Sequence, residues 1–307
     1  MICTGIIPAR FASTRLPGKV LADIGGIPMI ERVCRRAAPA VDRLIVAADD
    51  IRIVRAVEAF GRHAVLTSPD APNGTARCAE ALALIDDDAD IIVNIQADEP
   101  FIDPADITAA VSCFSDPTVD IVTLARRFGP GEDISELLSP DNPKVVMDSR
   151  MNALYFSRAA LPFVRDVAVE QWPAAPSLHL HVGHYAFRRS LLPDIAALPS
   201  CPLEKAERLE QLRWLAAGYR IRIAMTDSRT NYGQQIDNLI RSAYGSKIKV
   251  FDQTIPRSVR AAEISAVGKS IFQHDPKGKV AEAYQSLTRE VLADAEKQLK
   301  RSSERAR

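Results

Sequence analysis

Residues 42–67 read DRLIVAADDIRIVRAVEAFGRHAVLT and contain one strand–helix–strand unit. The runs LIVAA and HAVLT have the length and β-branched content of buried strands, whereas IRIVRAVEAF between them carries apolar residues at helical spacing. The same alternation extends on both sides, from ICTGII at residues 2–7 to ADIIVNIQ at residues 89–96. This rhythm predicts an α/β fold in which a mostly parallel sheet carries helices on both faces. In such sheets ligands bind beyond the carboxyl ends of the strands.

Composition sets the broad class of the protein. The chain has 307 residues, of which 47% are apolar, which is enough for one sizeable core and an appendage. Lys+Arg and Asp+Glu number 39 each, so overall charge favours neither nucleic acid nor an anionic membrane as a partner. The five cysteines are scattered without C-x-x-C spacing, and no apolar run approaches the length of a membrane span. We therefore expect a protein of the reducing cytoplasm.

The loop PARFASTRLPGK at residues 8–19 follows the first predicted strand. It places Arg10, Arg15 and Lys19 near one turn, with hydroxyl donors from Ser13 and Thr14. A proline–glycine pair tightens the loop, so that backbone N–H groups can point one way. This pattern suits a polyphosphate, although the loop matches neither a Walker A loop nor a G-x-G-x-x-G loop. The alternative is a solvated basic turn.

A second polar segment, QADEP at residues 96–100, ends another strand of the same sheet. Asp98 and Glu99 stand at the tip of the apolar run IIVNI, where carboxylates need a cation or solvent. Mg²⁺ is the ion that carboxylates hold beside substrate phosphates. The alternative is a capped turn with solvated acids. Together the two segments favour metal-assisted chemistry on a nucleoside triphosphate.

Several motifs resemble one family in order and spacing: IIPARFASTRLPGK, LIVAADD, NGTAR, VNIQADEP, KVVMDSRMNALYFSRAALP, HVGHYAFRR and PLEKAERLEQLR. They are similar to those of the 3-deoxy-manno-octulosonate cytidylyltransferases, and the resemblance covers residues 1 to about 228. It implies a nucleotide-diphospho-sugar transferase-like fold, Mg²⁺ as cofactor, and a homodimer. It also implies that CTP and the sugar acid KDO give CMP-KDO and pyrophosphate for lipopolysaccharide synthesis in a Gram-negative bacterium.

The resemblance also implies roles for individual residues. Arg10, Lys19 and Asp98 are the implied catalytic residues, with Asp98 as the metal ligand. The implied nucleotide-binding residues are Pro8, Ala9, Arg10, Ser13, Arg15, Lys19, Gly74, Thr75, Arg77 and Gln96. Within that set, Arg10, Ser13 and Lys19 would hold the triphosphate, and Gly74, Thr75 and Arg77 would read the cytosine. The implied sugar-binding residues are Arg158, His181, Tyr185, Glu210 and Gln211.

Three histidines in HLHVGH, residues 179–184, raise the question of a zinc site. On a strand, His179 and His181 share one face while His184 points to the other. Three converging ligands would require a break in the strand. A sugar contact by His181 is therefore favoured over a metal site.

The sequence predicts a cytidylyltransferase domain over residues 1–228, with an inserted sugar-binding and dimerisation subdomain at about 119–190 and a helix over 202–219. In the related family, the strand matching RIRIAM is followed by a segment resembling G-V-D-T-P-E-D-L, whose first aspartate completes the Mg²⁺ site. Gln234 falls near that place here, and an amide lacks the charge that a divalent ion favours. Asp227 and Asp237 are candidate substitutes.

Residues 229–307 resemble the C-terminal part of ParA-type chromosome-partitioning ATPases, through TIPRSVRAAE and GKSIFQHDPKGKVAEAY. The segment lacks Walker motifs, because Glu263 stands where the first glycine before VGKS belongs. It predicts an appended α/β tail, whose helix QQIDNLIRSAY could pack where the family's lost helix lay. The two resemblances together predict that the chain is a fusion of a cytidylyltransferase with part of a ParA-type protein.

Two alternatives to the leading function stay open. One is a cytidylyltransferase for a related sugar acid, such as a sialic-acid-like or amino-KDO sugar. The other is a catalytically weak nucleotide-binding protein whose basic tail contacts DNA or a protein partner. The tail residues concerned are Arg257, Arg260, Lys269, Lys277 and Lys279. Charge alone supports DNA binding only weakly, so nucleic acid is not an expected partner.

Overall fold

The computed structural model describes residues 1–12, 17–226, 241, 249–253, 255 and 270–305. The chain divides into two units, residues 1–235 and residues 236–307. Several predicted residues lie outside the described part of the chain: Ser13, Arg15, Asp227, Gln234, Asp237 and Glu263. The predicted helix QQIDNLIRSAY also lies outside it, except for Arg241. So do the motifs TIPRSVRAAE, except for Ile255, and VGKS, except for Ser270.

One sheet of nine strands organises the first unit. The strands are β1 (Cys3–Ala9), β2 (Arg43–Ala48), β3 (His63–Leu66), β4 (Ile91–Asn94), β5 (Ile121–Arg127), β6 (Lys144–Met147), β7 (Ala153–Ser157), β8 (His179–Arg188) and β9 (Ile221–Met225). Their order is β3-β2-β1-β4-β8-β5-β9, with β6 pairing to β7 and β8. Strands β3, β2, β1 and β4 are parallel, as are β5 and β9, whereas β8 runs antiparallel to β4 and β5.

Short helices cover both faces of this sheet. They are α1 (Met29–Ala37), α2 (Ile51–Ala59), α3 (Gly74–Leu84), α4 (Pro104–Ser112), α5 (Ile134–Leu138), α6 (Leu192–Ala197), α7 (Pro202–Glu207) and α8 (Gln211–Ala216). Side chains of Asp50, Asn73 and Asp103 cap α2, α3 and α4 by accepting a backbone N–H. Two apolar clusters form, one on each face of the sheet. The alternation of strands and helices predicted over residues 2–96 is therefore observed.

The predicted inserted subdomain, residues 119–190, contains two strands of the central sheet. Strands β5 and β8 pair inside the central sheet, β5 with β8 and β9, and β8 with β4. Of the strands in this segment, only β6 and β7 lie off the path of the central sheet. The sequence of β5 is buried on both faces over most of its length, as a central strand requires, whereas β8 is only partly buried; periodicity alone does not distinguish such strands from a separate layer.

The helix predicted over residues 202–219 is broken in two. Arg208 adopts the left-handed conformation, with φ 52°, between α7 and α8. Its N–H donates to the carbonyl of Glu204, which ends α7. Helical periodicity continued through this point in the sequence, so the break was not visible there. It places Glu210 and Gln211 at the start of a new helix rather than along the face of a long one.

The second unit contains α9 (Ile271–His274) and α10 (Lys279–Arg305). Ile271 packs with Val280 and Ala281 of the longer helix, and Ser270 forms a capping box with Gln273. Glu290 accepts hydrogen bonds from the backbone N–H groups of Asp252 and Gln253. No helix in the described part of the chain combines the length and apolar character needed to cross a membrane.

Candidate active site

The segments that follow β1 and β4 meet at the carboxyl edge of the parallel strands. Lys19 Nζ lies 2.9 Å from Asp98 Oδ2, and both side chains are partly exposed. They border a cavity of about 410 Å³. Its lining residues are Pro8, Arg10, Ala12, Lys19, Val20, Asn73, Gly74, Arg77, Gln96, Ala97 and Asp98. The adjacency of β1 and β4 in the sheet explains this meeting, because parallel neighbours end at the same edge.

Backbone contacts fix the two ends of the cationic loop. Gly18 has φ 69°, a left-handed conformation that glycine adopts without strain, and its N–H donates to the carbonyl of Phe11. The Phe11 N–H donates to Asp49 Oδ1, and the Arg52 guanidinium lies 3.5 Å from the centre of the Phe11 ring. Arg10 donates to the carbonyl of Ala71, which turns its guanidinium toward the cavity wall formed by the segment before α3.

Arg77 lies beneath this cavity with none of its side chain exposed. Its Nη1 donates to Thr67 Oγ1 at 2.6 Å and to the carbonyl of Ser68 at 2.9 Å, and its Nη2 is 3.9 Å from Asp49 Oδ2. Burial lowers the pKa of the guanidinium, and Asp49 opposes that shift. Nε and Nη2 are buried without a hydrogen-bond partner, so the group retains donors for a ligand.

Most of the predicted nucleotide-binding residues are brought together. The cavity is lined by six of them, Pro8, Arg10, Lys19, Gly74, Arg77 and Gln96, and by the predicted metal ligand Asp98. Ala9 and Thr75 are buried and do not line it. Gly74 is closely packed, because a Cβ there would lie 3.3 Å from Pro8 Cγ and 3.4 Å from Asn94 Nδ2.

Two asparagines were not among the predicted site residues. Asn73 lines the cavity and caps α3 through its Oδ1. Asn94, within β4, is buried with its Oδ1 unpaired, next to Gly74. A polar residue inside the apolar run IIVNIQ is a signal that the sequence did contain, since buried amides require partners.

Most of the predicted sugar-binding residues gather around β8 and the start of α8. The Tyr185 and Trp214 rings meet edge to face at 4.9 Å, and Glu210 Oε1 lies 2.8 Å from Arg213 Nη2. Burial raises the pKa of Glu210, while Arg213 and Thr75 oppose the shift. Gln211 is 2% exposed and its Nε2 has no hydrogen-bond partner; Trp214 Nε1, fully buried, has none either. This region therefore holds several unsatisfied polar atoms in a largely apolar setting.

His181 lies on the same strand and faces Phe156 and Tyr185, with ring-centre distances of 4.9 and 5.7 Å. Its Nε2 is 2.9 Å from Thr123 Oγ1. Burial, with His184 nearby, lowers the pKa of His181 to about 3. His181 is therefore a neutral ring near pH 7 and can serve a ligand only as a hydrogen-bonding group.

Arg158, an implied sugar-binding residue, contacts three backbone carbonyls. Its Nε donates to the carbonyl of Glu207 at 2.6 Å, its Nη1 to that of Pro140 at 2.7 Å, and its Nη2 approaches that of Arg208 at 3.3 Å. These contacts close the carboxyl end of α7. Arg158 thus holds the helix break in place, and its guanidinium is already committed to backbone carbonyls.

The three histidines of β8 do not converge. His179 Nδ1 is 3.1 Å from the carbonyl of Ser177, whereas His184 Nε2 is 2.5 Å from Glu99 Oε2. Within the described residues no group of three or more His, Cys, Asp or Glu side chains could hold a metal ion. Asp98 stands alone as the carboxylate that the described residues present to the cavity.

Comparisons with known proteins agree with this arrangement. A family profile described as "Cytidylyltransferase" matches residues 4–223. The 3-deoxy-manno-octulosonate cytidylyltransferase of Bacteroides thetaiotaomicron is 48% identical over 226 residues, covering 74% of this chain and 90% of that protein. The Geobacter sulfurreducens protein of the same name is 47% identical over 234 residues, covering 74% and 92%.

The fold comparison gives the same result. The structure of CMP:2-keto-3-deoxy-manno-octonic acid synthetase complexed with CTP is 36% identical, with a TM-score of 0.68, and the match covers 81% of this chain and all of that one. The predicted fold class is confirmed. On its sequence identity and coverage, this chain belongs to the 3-deoxy-manno-octulosonate cytidylyltransferase family.

Proposed function

We propose that the protein transfers CMP from CTP to 3-deoxy-manno-octulosonate, releasing pyrophosphate and supplying CMP-KDO for lipopolysaccharide synthesis. The observation that carries the proposal is the cavity in which Lys19 and Asp98 face each other, in a chain that belongs to this cytidylyltransferase family. A solved relative is described as complexed with CTP, which supports CTP as the nucleotide.

The cations of the first loop would bind the triphosphate. Arg10 and Lys19 line the cavity on the side of β1. In the ligand-free chain Lys19 pairs with Asp98, so each neutralises the other until nucleotide arrives. When Lys19 moves to a phosphate oxygen, its charge stabilises the pyrophosphate that leaves. Ser13 and Arg15, outside the described residues, are proposed to extend this contact.

The cytosine would occupy the opposite end of the cavity. Pro8 and Gly74 leave room for a flat ring, and the free donors of Arg77 can reach the ring's oxygen and nitrogen acceptors. Gln96 adds an amide at the same edge. A buried guanidinium with unpaired donors selects a base with matching acceptors, because an unmatched base leaves the donors desolvated.

Mg²⁺ fits the donor set at the cavity mouth. Mg²⁺ is commonly held by one or two carboxylates together with substrate phosphates and water, and Asp98 supplies one such carboxylate. A bound Mg²⁺ would neutralise charge on the triphosphate. Asp227 and Asp237 remain candidates for a second ligand in place of the family's aspartate, and they lie outside the described residues.

The sugar acid would contact β8 and the start of α8. His181, Tyr185, Glu210 and Gln211 offer hydrogen-bonding groups, and the unpaired Gln211 Nε2 is a donor without a protein partner. Hydroxyl groups of a sugar can satisfy such atoms. Arg158 is left out of the set, because its guanidinium holds backbone carbonyls at the end of α7. We infer that another cation pairs with the sugar carboxylate.

The reaction is a single displacement at the α-phosphorus. The anomeric oxygen of the sugar acid bonds to that phosphorus while the bond to the pyrophosphate oxygen breaks, and the proton of the anomeric hydroxyl passes to water or to the departing pyrophosphate. The chain's contribution is to align the two substrates and to neutralise charge, through Lys19 and Arg10 on the phosphates and the β8 side chains on the sugar.

The test is pyrophosphate release by the full chain with CTP, KDO and Mg²⁺. We expect Asp98→Ala to lower the rate by about 10²-fold or more. Asp194→Asn, which changes an exposed carboxylate in the first turn of α6, is the matched control and should keep wild-type activity. Gln234→Asp should raise activity if the missing aspartate limits the rate. An Asp98→Ala variant with wild-type turnover would remove Asp98 from the mechanism.

Substrate choice is tested in the same assay. KDO should give a higher kcat/KM than an amino-KDO or a sialic acid, because buried polar groups discriminate strongly against a sugar that leaves them unpaired. A higher kcat/KM for either competitor would reassign the sugar while leaving the cytidylyl transfer in place.

The C-terminal part of the chain lies largely outside these matches. The family profile ends at residue 223, and the two sequence relatives described above align with about three quarters of the chain. The domain limits at 228, the fusion and the similarity of residues 229–307 to ParA-type ATPases stay predictions. So does the homodimer. Of the five basic tail residues, Lys277 and Lys279 fall in the described part of the chain. Salt-sensitive DNA binding that disappears on deleting residues 229–307 would support the interaction alternative.

A further inference from the structure

An irregularity in β8 separates the predicted sugar-binding residue His181 from His184. Thr123 of β5 pairs with Tyr185, but the next residue, Leu124, pairs with Val182, so β8 bulges between these two pairs. The Thr123 hydroxyl donates to the carbonyl of His184 at 2.7 Å and lies 2.9 Å from His181 Nε2. One hydroxyl of a central strand therefore contacts both His181 and His184.

The bulge turns His184 toward the segment that follows β4. His184 Nε2 lies 2.5 Å from Glu99 Oε2, a close pair by distance whose angle is not that of a hydrogen bond, and the two side chains are only 11% and 22% exposed. Pairing of Asn94 with Tyr185 explains the approach, because the residues after β4 continue along β8 past His184.

Glu99 in turn closes the turn that presents Asp98. Its N–H donates to the carbonyl of Gln96 at 3.3 Å, and its carbonyl accepts from Ile102 at 3.1 Å. Gln96 and Asp98, both lining the cavity, lie within that turn. The Asp98 side chain itself is about half exposed, and Lys19 is the partner that the structure shows for it. Its direction therefore depends on the turn.

We propose that His184 is a positioning residue for cytidylyl transfer: by holding Glu99, it fixes the turn of residues 96–99 and thereby the direction of Asp98. The inference rests on the proposed function. In this proposal the β8 bulge supports both substrate sites. The Thr123 hydroxyl contacts His181, which faces the proposed sugar site, and the backbone carbonyl of His184, which lies beside the proposed nucleotide site. The two substrates are then aligned by one rigid element.

The test compares His184→Leu, which removes the contact, with His184→Gln, which keeps a nitrogen donor in the side chain. The Mg²⁺ concentration for half-maximal activity should rise about 10-fold in His184→Leu and kcat should fall, as expected when a supporting partner of a ligand is lost. The KM for the sugar acid should stay within about twofold, and His184→Gln should recover most of the loss. A Leu variant with an unchanged Mg²⁺ requirement would overturn the proposal.

A second measurement does not depend on turnover. Amide hydrogen exchange on the ligand-free full chain should increase in peptides covering residues 96–102 of His184→Leu and stay unchanged in β1. Glu99→Ala should have the same effect, and the double variant should add nothing to either single change. Unchanged exchange at 96–102, or additive effects, would contradict the proposal. An inactive wild-type chain would instead refute the proposed function and leave this exchange test in force.

Discussion

Arg77 shows how much a single buried side chain can determine. Its guanidinium contacts Thr67, Ser68 and Asp49 and still has donors free at the cavity. A lysine offers one point charge and cannot make these contacts together. We expect Arg77→Lys to weaken CTP binding at least about 10-fold and to lower the free energy of unfolding by about 1–3 kcal/mol.

Calorimetric titration of CTP and urea denaturation check the two effects of Arg77→Lys separately. Arg55→Lys, at an exposed position on α2, is the control and should change neither quantity. If stability falls but CTP affinity does not, Arg77 supports the fold without reading the base.

His181 makes a prediction about pH. Its pKa is about 3 in the folded chain against 6.5 for an ordinary histidine, so the unfolded chain binds the extra proton more readily. The free energy of unfolding should therefore fall as pH drops from about 6.5 toward 3. Above that range, His181 should add no pH dependence to the free energy of unfolding. Urea denaturation at pH 7, 6, 5 and 4.5 measures this. His181→Asn should show a shallower fall, and equal slopes in the two proteins would refute the shift.

At the scale of elements, β1 leaves little room for a side chain at Gly5. A Cβ at Gly5 would lie 2.9 Å from Leu44 Cδ1 and 3.0 Å from Ile95 Cδ1, so the ends of these two side chains would have to move. We expect Gly5→Ala to lower the free energy of unfolding by about 1–3 kcal/mol. Gly183→Ala in β8 is the matched control, because no atom lies within 4 Å of its added Cβ. Thermal denaturation of the two variants measures the difference. Equal melting temperatures would mean that the side chains around Gly5 can make room for a methyl group.

Several elements could be predicted from the sequence and others could not. The helices and strands over residues 3–94 follow from apolar periodicity and turn residues, and the lysine and aspartate of the site follow from strands that end in charge. The break at Arg208 and the β8 bulge depend on tertiary partners, namely the Arg158 contacts and Thr123. Because no local pattern encodes those partners, neither the Arg158 contacts nor the Glu99–His184 contact was anticipated.

For the whole molecule, the residues proposed to bind CTP all belong to the first unit. Those that line the cavity lie between residues 8 and 98, and the first unit extends to residue 235. We expect limited proteolysis of the full chain to leave a fragment of about this length that binds CTP with the affinity of the intact chain. Calorimetric titration of the purified fragment measures this. A fragment that unfolds or loses CTP binding would show that residues 236–307 are needed.

The same digestion bears on the tail helix. If removing the tail leaves the melting temperature of the first unit unchanged, the proposed packing of QQIDNLIRSAY in place of the family's helix is wrong. A lower melting temperature in the fragment would support that packing.

The most direct test of the account is a crystal structure of the full chain with CTP and Mg²⁺. In that structure the triphosphate should lie within hydrogen-bond distance of Arg10 and Lys19. Asp98 should bind the metal in place of Lys19, and the cytosine should lie between Gly74 and Arg77. CTP bound away from this cavity, or a Lys19–Asp98 pair that persists beside bound nucleotide, would contradict the account.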